Sequence, residues 1–91
     1  MMKVLHDKEQ QKFYLLNEGK ESYTLYNTQN GNILNFYRTY VPPEQRDRGL
    51  ANQVVKAALQ YALENNLQVI PSCSYVDYFI TRNKEYQKLL T

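Results

Sequence analysis

Alternation of apolar and polar residues runs through the first half of the chain and predicts strands. Residues 4–7 form a short candidate, followed by residues 12–17 (KFYLLN) and the turn Glu18-Gly19-Lys20. Residues 21–27 (ESYTLYN) are rich in β-forming types, with Tyr23 and Leu25 on one face and Ser22, Thr24 and Tyr26 on the other. Asn30-Gly31 is a hairpin signal, after which residues 33–41 (ILNFYRTYV) return as a long antiparallel strand. Pro42-Pro43 ends that strand, because neither proline can donate to a ladder.

The period changes in the second half. From Leu50 to Glu64 the apolar residues are Leu50, Ala51, Val54, Val55, Ala58, Leu59, Ala62 and Leu63, the stripe of an amphipathic helix. Asn65-Asn66 supplies a left-handed residue to stop it. Residues 67–70 make a short buried strand closed by Pro71, and Ser74 with Asp77 three positions on is expected to cap a second helix. Tyr75, Val76, Phe79 and Ile80 give that helix its apolar side, and Asn83 breaks it before a last turn over residues 85–90. The order is β-β-β-β-α-β-α. It makes one domain over residues 1–91, of class α+β, with a mixed, mostly antiparallel sheet whose last strand runs parallel to the one before the helix.

Composition narrows the function. Nine tyrosines without tryptophan, at 43% hydrophobic residues, exclude a disordered chain. A net charge of +2, with only short clusters at Arg46/Arg48 and Arg82/Lys84, lacks the basic face of a duplex-binding protein. Arg82 and Lys84 beside a Tyr-rich sheet raise single-stranded nucleic acid as a partner, but no motif supports it, so none is expected. One cysteine, Cys73, and one histidine, His6, allow neither a disulfide nor a Cys/His metal cluster, and no metal is expected. His6 is expected at the surface rather than as a base. The amino terminus has no signal-peptide run and no stretch reaches membrane-spanning length, so the expected location is cytoplasmic, with no membrane partner.

The chemistry concentrates where the long strand meets the long helix, at Arg46-Asp47-Arg48-Gly49-Leu50-Ala51. The first amides of a helix have no intrahelical partner, and with the helix dipole they form an anion site. Gly49 lets a phosphate approach the backbone, Ala51 keeps the first turn narrow, and Arg46 and Arg48 add charge at the rim. A diphosphate would be held mostly by backbone, with guanidinium groups in support. A nucleotide binder of unspecified kind satisfies these facts equally well. Further on, Cys73 lies between a strand and a helix start, where a helix N-terminus favours the thiolate form of a thiol; it is a candidate nucleophile.

Three segments in order, VPPEQRDRGLA, PSCSYV and Arg82-Asn83-Lys84-Glu85-Tyr86, resemble a short single-domain branch of the GNAT superfamily of acyl-CoA-dependent N-acetyltransferases. That branch carries V-P-x-x-x-R-x-x-G-x-A, P-x-C-x-[FY]-V and R-x-x-x-E-Y. The resemblance implies that acetyl-CoA is the cosubstrate, its pyrophosphate on the amides from Arg48 through Gly49, Leu50 and Ala51 to Asn52. The pantetheine arm would lie between the strand ending at Val41 and the strand over residues 67–70, and the thioester beside Ser72 and Cys73. It also supports Cys73 as the catalytic cysteine. Two departures stand out: family members often have His at the place of Arg38, and many have Pro at the place of Ser74.

The expected function is therefore N-acetyl transfer to an unidentified amine, a small molecule or a protein lysine, through Cys73 or by direct attack. In the direct case Tyr78, one turn beyond Ser74, is the candidate general acid. Tyr37 and Tyr40 are expected to pack, or to line an acceptor pocket. The rival from another class is a non-catalytic coenzyme A or acyl-CoA binding module, acting as a sensor or partner protein, because so short a chain has few residues left to wall an acceptor site.

Overall fold

The alternating half of the chain pairs into a meander. The structure, a computed structural model, describes residues 3–91. Strands β1 (Leu5–Asp7), β2 (Lys12–Asn17), β3 (Lys20–Gln29), β4 (Ile33–Tyr40) and β5 (Gln68–Pro71) form one sheet in chain order. The first four pair antiparallel, and β5 runs parallel to β4. Helix α1 (Leu50–Glu64) makes the crossover that a parallel pair requires, α2 (Ser74–Arg82) follows β5, and a 3₁₀ segment (Lys84–Leu89) follows α2. The α+β class and the element order are those expected, with boundaries moved by a few residues.

Asn30 and Gly31 take φ values of 53° and 75°, the left-handed pair that turns a hairpin with the natural twist of its strands. Asn66, at φ 56°, is the left-handed residue after α1, and Asn65 Nδ2 donates to the Tyr61 carbonyl at 2.9 Å. The second helix starts differently from the expectation. Its N-cap is Cys73, Ser74 is already helical, and no side chain caps the end. A contact across the fold sets this start: the Cys73 N–H donates to the Phe36 carbonyl at 2.8 Å, which fixes the chain one residue earlier than a Ser74 cap needs.

Both helices pack on one face of the sheet. Phe13, Leu15, Leu34, Phe36 and Val69 meet Val54, Val55, Ala58 and Leu59 of α1 and Val76, Phe79 and Ile80 of α2 in a single core. The buried face of β3 is the one carrying Ser22, Thr24 and Tyr26, so two hydroxyls enter the interior. Thr24 is satisfied by the Arg38 carbonyl and by Thr39, whereas Ser22 Oγ has no partner among the described residues. The opposite face carries no helix among the described residues. There the pairings Leu5↔Tyr14, Tyr14↔Tyr23 and Tyr23↔Tyr40 align one residue per strand into a transverse row.

His6 is not the surface residue expected. It is half-buried on edge strand β1, stacked on Phe13 with ring centroids 3.9 Å apart and set edge-on to Tyr61 at 4.6 Å. Its Nε2 lies 2.5 Å from Tyr26 Oη. A short edge strand leaves this end of the aromatic core open, and the imidazole covers it with its flat face while its nitrogen meets the phenol. Burial, and secondarily Lys8, hold the imidazole below its usual pKa, with Asp7 opposing.

Candidate functional site

The site is built where β4 and β5 part. Their parallel pairing ends at Phe36↔Pro71, and beyond it residues 38–40 of β4 pair with β3 alone among the described residues. A β-bulge sits at the same place: Leu25 pairs with Arg38 but Tyr26 with Phe36, leaving Tyr37 as the extra residue. The bulge reverses the alternation of β4. Leu34 and Phe36 point to the helices; past the bulge Thr39 does so, while Arg38 and Tyr40 turn to the bare face.

Thr39 is the contact that links this edge to the thiol. Cys73 Sγ donates to Thr39 Oγ1 at 3.4 Å, Thr39 Oγ1 is 3.0 Å from Thr24 Oγ1, and Thr24 donates to the Arg38 carbonyl at 3.3 Å. With both ends of the chain fixed, the middle hydroxyl donates from Thr39 to Thr24. Cys73 is half-buried, so the thiol is held rather than sealed in.

The turn before α1 is fastened at both ends. Gln45 is 1% exposed, and its Nε2 donates to the Asn17 carbonyl at 2.8 Å, tying the 3₁₀ turn Pro43–Gln45 to the β2–β3 hairpin. Arg46 Nε donates to the Val41 carbonyl at 2.9 Å and its guanidinium lies 5.9 Å from the Tyr40 ring centre. Asp47 and Gly49 both take left-handed φ values, 67° and 76°. Gly49 is the N-cap of α1 and supplies no capping side chain; the first turn holds no acidic residue. The first helical bond of this end runs from Gln53 N to the Gly49 carbonyl at 3.1 Å. Among the described residues the amides of Leu50, Ala51 and Asn52 have no acceptor, and a Cβ placed on Gly49 would meet nothing within 4 Å.

These free amides open onto a cavity of 350 Å³. Its lining comes from Thr39, Val41, Gln45 and Arg46 at the end of β4 and in the turn, from Gly49, Leu50, Ala51 and Asn52 at the start of α1, and from Tyr75 of α2. Asp47 is the single carboxylate of the lining, beside Arg46. Tyr75 Oη donates to Asn52 Oδ1, joining the start of α2 to the start of α1; its burial, then its neighbour Tyr78, raise its pKa. A groove of 710 Å³ between α1 and α2 adjoins this cavity and shares Asn52 and Tyr75 with it.

Of the residues expected at a site, Val41, Arg46, Gly49, Leu50, Ala51 and Asn52 surround one cavity, with Cys73 attached through Thr39. Arg48 stands apart, half exposed and 3.9 Å from Glu18. Ser72 is exposed between the end of β5 and Cys73. Tyr78 lines the larger groove instead, 59% exposed, with Arg82 donating to its hydroxyl at 2.7 Å. Tyr75, not Tyr78, is the phenol in the cavity wall. Sequence reasoning missed Thr39, Gln45 and Tyr75 as site residues. A hydroxyl on a strand, a glutamine in a turn and an aromatic on an apolar stripe carry no signal of their own. Among the described residues no group of three His, Cys, Asp or Glu is placed to hold a metal, and no helix is long and apolar enough to cross a membrane.

Both the sequence and the fold of this chain are similar to known proteins. Protein NATD1 of Bos taurus is 30% identical over 84 residues, 90% of this chain and 74% of that protein. Protein NATD1 of Danio rerio is 28% identical over 90 residues, 97% of this chain and 82% of that protein. The NMR solution structure of a GCN5-like protein from Staphylococcus aureus matches with a TM-score of 0.76 at 26% identity, covering 98% of this chain and 87% of the other. The model of the GCN5-related N-acetyltransferase family matches residues 12–89, and the chain belongs to that family.

Proposed function

We propose that the chain binds acetyl-CoA in the 350 Å³ cavity and moves the acetyl group to an amine through Cys73. One observation carries this reading: the uncapped start of α1 and the parted edge of β4 open onto the same space, with the Thr39 that holds Cys73 in its wall. The amides of Leu50, Ala51 and Asn52 donate to the pyrophosphate, and the left-handed Gly49 leaves room for it. Arg46 adds charge at the rim, and Arg48 reaches the same anion only by leaving Glu18. The β4 edge past Phe36 offers backbone groups to the amide-bearing arm of coenzyme A, in the manner of a strand partner.

Cys73 then acts as nucleophile. Its sulfur forms a bond to the acetyl carbon, the thioester C–S bond breaks, and the thiol proton leaves with the coenzyme A sulfur. The acceptor amine attacks the S-acetyl group, the C–N bond forms as the second C–S bond breaks, and the amine proton restores the thiol. Thr39 serves both steps by reversing its hydroxyl, which accepts from the thiol and donates to the thiolate.

Titration with acetyl-CoA, coenzyme A and ATP, followed by amide chemical shifts, tests the binding half. Residues 48–52 are expected to move with the first two and not with ATP; an equal response to ATP removes the coenzyme A assignment. Incubation with acetyl-labelled cosubstrate tests the chemistry. Label on the wild type and none on Cys73→Ala is the expected result. An amine panel acetylated equally by Cys73→Ala means direct transfer, and no acetylation of chain or amine leaves an acyl-CoA binding module.

A further inference from the structure

Two arginines meet at Tyr40, Arg38 from the bare face of the sheet and Arg46 from the rim of the cavity. Lys12 has Glu21 at 2.7 Å, Lys20 has Glu44, and Arg48 has Glu18 at 3.9 Å. Arg38 and Arg46 are in no ion pair among the described residues. Both instead face one ring, with their guanidinium carbons 5.8 and 5.9 Å from the centre of Tyr40. Tyr40 in turn lies 5.5 Å from Tyr23, at an interplanar angle of 31°. Two like charges gathered at one aromatic surface repel each other, and the attraction of each for the ring offsets this only in part at a solvated site. An anion between them removes the repulsion.

The position of this pair gives it a role. Arg38 and Tyr40 flank Thr39 in sequence and point to the opposite side of the sheet, so they stand directly behind the residue that holds Cys73. Past Phe36↔Pro71 no strand among the described residues pairs with that edge of β4. With the cavity on the helix side filled, the parted edge gives the face bearing Arg38 a way to the thiol.

We propose that this face receives the acceptor, and that the acceptor is an amine carrying a carboxylate, a free amino acid or a peptide with an acidic residue next to its amine. The carboxylate pairs with the Arg38 guanidinium fork, the body of the molecule lies on Tyr40 and Tyr23, and the amine is directed to the parted edge. Polyamines and lysine-rich tails are disfavoured, because they bring further positive charge to two unpaired guanidinium groups. The acceptor role rests on the acetyl-transfer reading; the carboxylate site stands without it.

Chemical-shift titration of the coenzyme A-saturated protein separates the two. The probes are phenylalanine, phenylalaninamide, a Phe-Glu peptide amide, its Phe-Gln counterpart, and spermidine. The free acid and the Glu peptide are expected to move Tyr23, Arg38 and Tyr40, with the stronger of the two naming the source. The two counterparts without a carboxylate bind about tenfold more weakly, the usual scale for one charge-assisted fork. Arg38→Gln loses the same factor while acetyl-CoA affinity is unchanged, and Arg38→Glu turns the preference to spermidine. Equal binding of acid and amide, or wild-type binding by Arg38→Gln, overturns the site. Carboxylate binding at these residues without any acetylation overturns the acetyl-transfer reading and leaves the site in place.

Discussion

Gly49 holds φ at 76° and faces open space where a side chain would begin. Substitution by valine therefore acts twice. The left-handed backbone costs about 1–2 kcal/mol for a residue with a Cβ, and the branched side chain fills the space above the free amides. Chemical denaturation should show that modest loss, while titration should show acetyl-CoA binding abolished. Arg46→Ala removes one bond to the Val41 carbonyl and one rim charge but leaves the amides, so binding should weaken and persist. Similar losses in both variants would mean that side-chain charge, not backbone, holds the anion. His6 supplies the pH dependence. Its folded-state pKa lies below the usual 6.5, because burial and Lys8 disfavour the charged ring. The neutral ring's contribution is thus fully present above that value and is lost as pH falls through the lower folded one. Unfolding free energy measured between pH 7 and pH 4.5 should fall faster for the wild type than for His6→Phe; parallel curves would refute it.

Helix α1 does two jobs at its two ends, and its middle fixes both. Leu59 is fully buried between the helix and the sheet, so Leu59→Ala should cost about 2–5 kcal/mol by equilibrium denaturation. A smaller loss would mean that the site rests on a looser frame than the packing indicates. At the neighbouring element, Thr39→Val keeps the shape of β4 and removes the hydroxyl between Thr24 and Cys73. Thr24 retains the Arg38 carbonyl as acceptor, so stability should drop by only about 1 kcal/mol. Alkylation of Cys73 at neutral pH should nonetheless slow several-fold, since the thiolate loses its donor. Unchanged alkylation would deny Thr39 any part in holding the sulfur. The elements themselves were legible: the stripe from Leu50 to Glu64, the Asn-Gly turn and the Pro42-Pro43 stop each obey a local rule. The start of α2 was not, because the bond from Cys73 N to Phe36 O joins residues distant in sequence.

At the scale of the molecule, a ligand in the cavity would be coupled to the fold. The cavity draws its walls from β4, the turn after it, α1 and the start of α2, so a ligand there ties together elements that the core alone must otherwise hold. Saturation at a hundredfold excess over Kd adds about 2.7 kcal/mol to a site present only in the folded state. For a domain of this size that corresponds to a rise in Tm on the order of 10–20 °C. Thermal unfolding should show it for acetyl-CoA with the wild type and not with Gly49→Val. With a net charge of only +2, the affinity should depend weakly on ionic strength if fixed amides rather than a broad field hold the anion. A steep salt dependence would point back to the arginines.

The chain's own sequence determined the order of elements, the place of the glycine turn before α1 and the single thiol near the next strand–helix junction. Each depends on neighbours a few residues apart: hydrophobic period, proline, glycine and the free amides of a helix start. Tertiary structure alone decided which side chains face the thiol. The extra residue at Tyr37 reverses the alternation of β4, so Thr39 meets Cys73 while Arg38 and Tyr40 turn away to the bare face. A bulge is a mismatch in length between two paired strands, and no single strand records it. The same holds for His6, whose burial is set by Phe13, Tyr26 and Tyr61 arriving from three other elements.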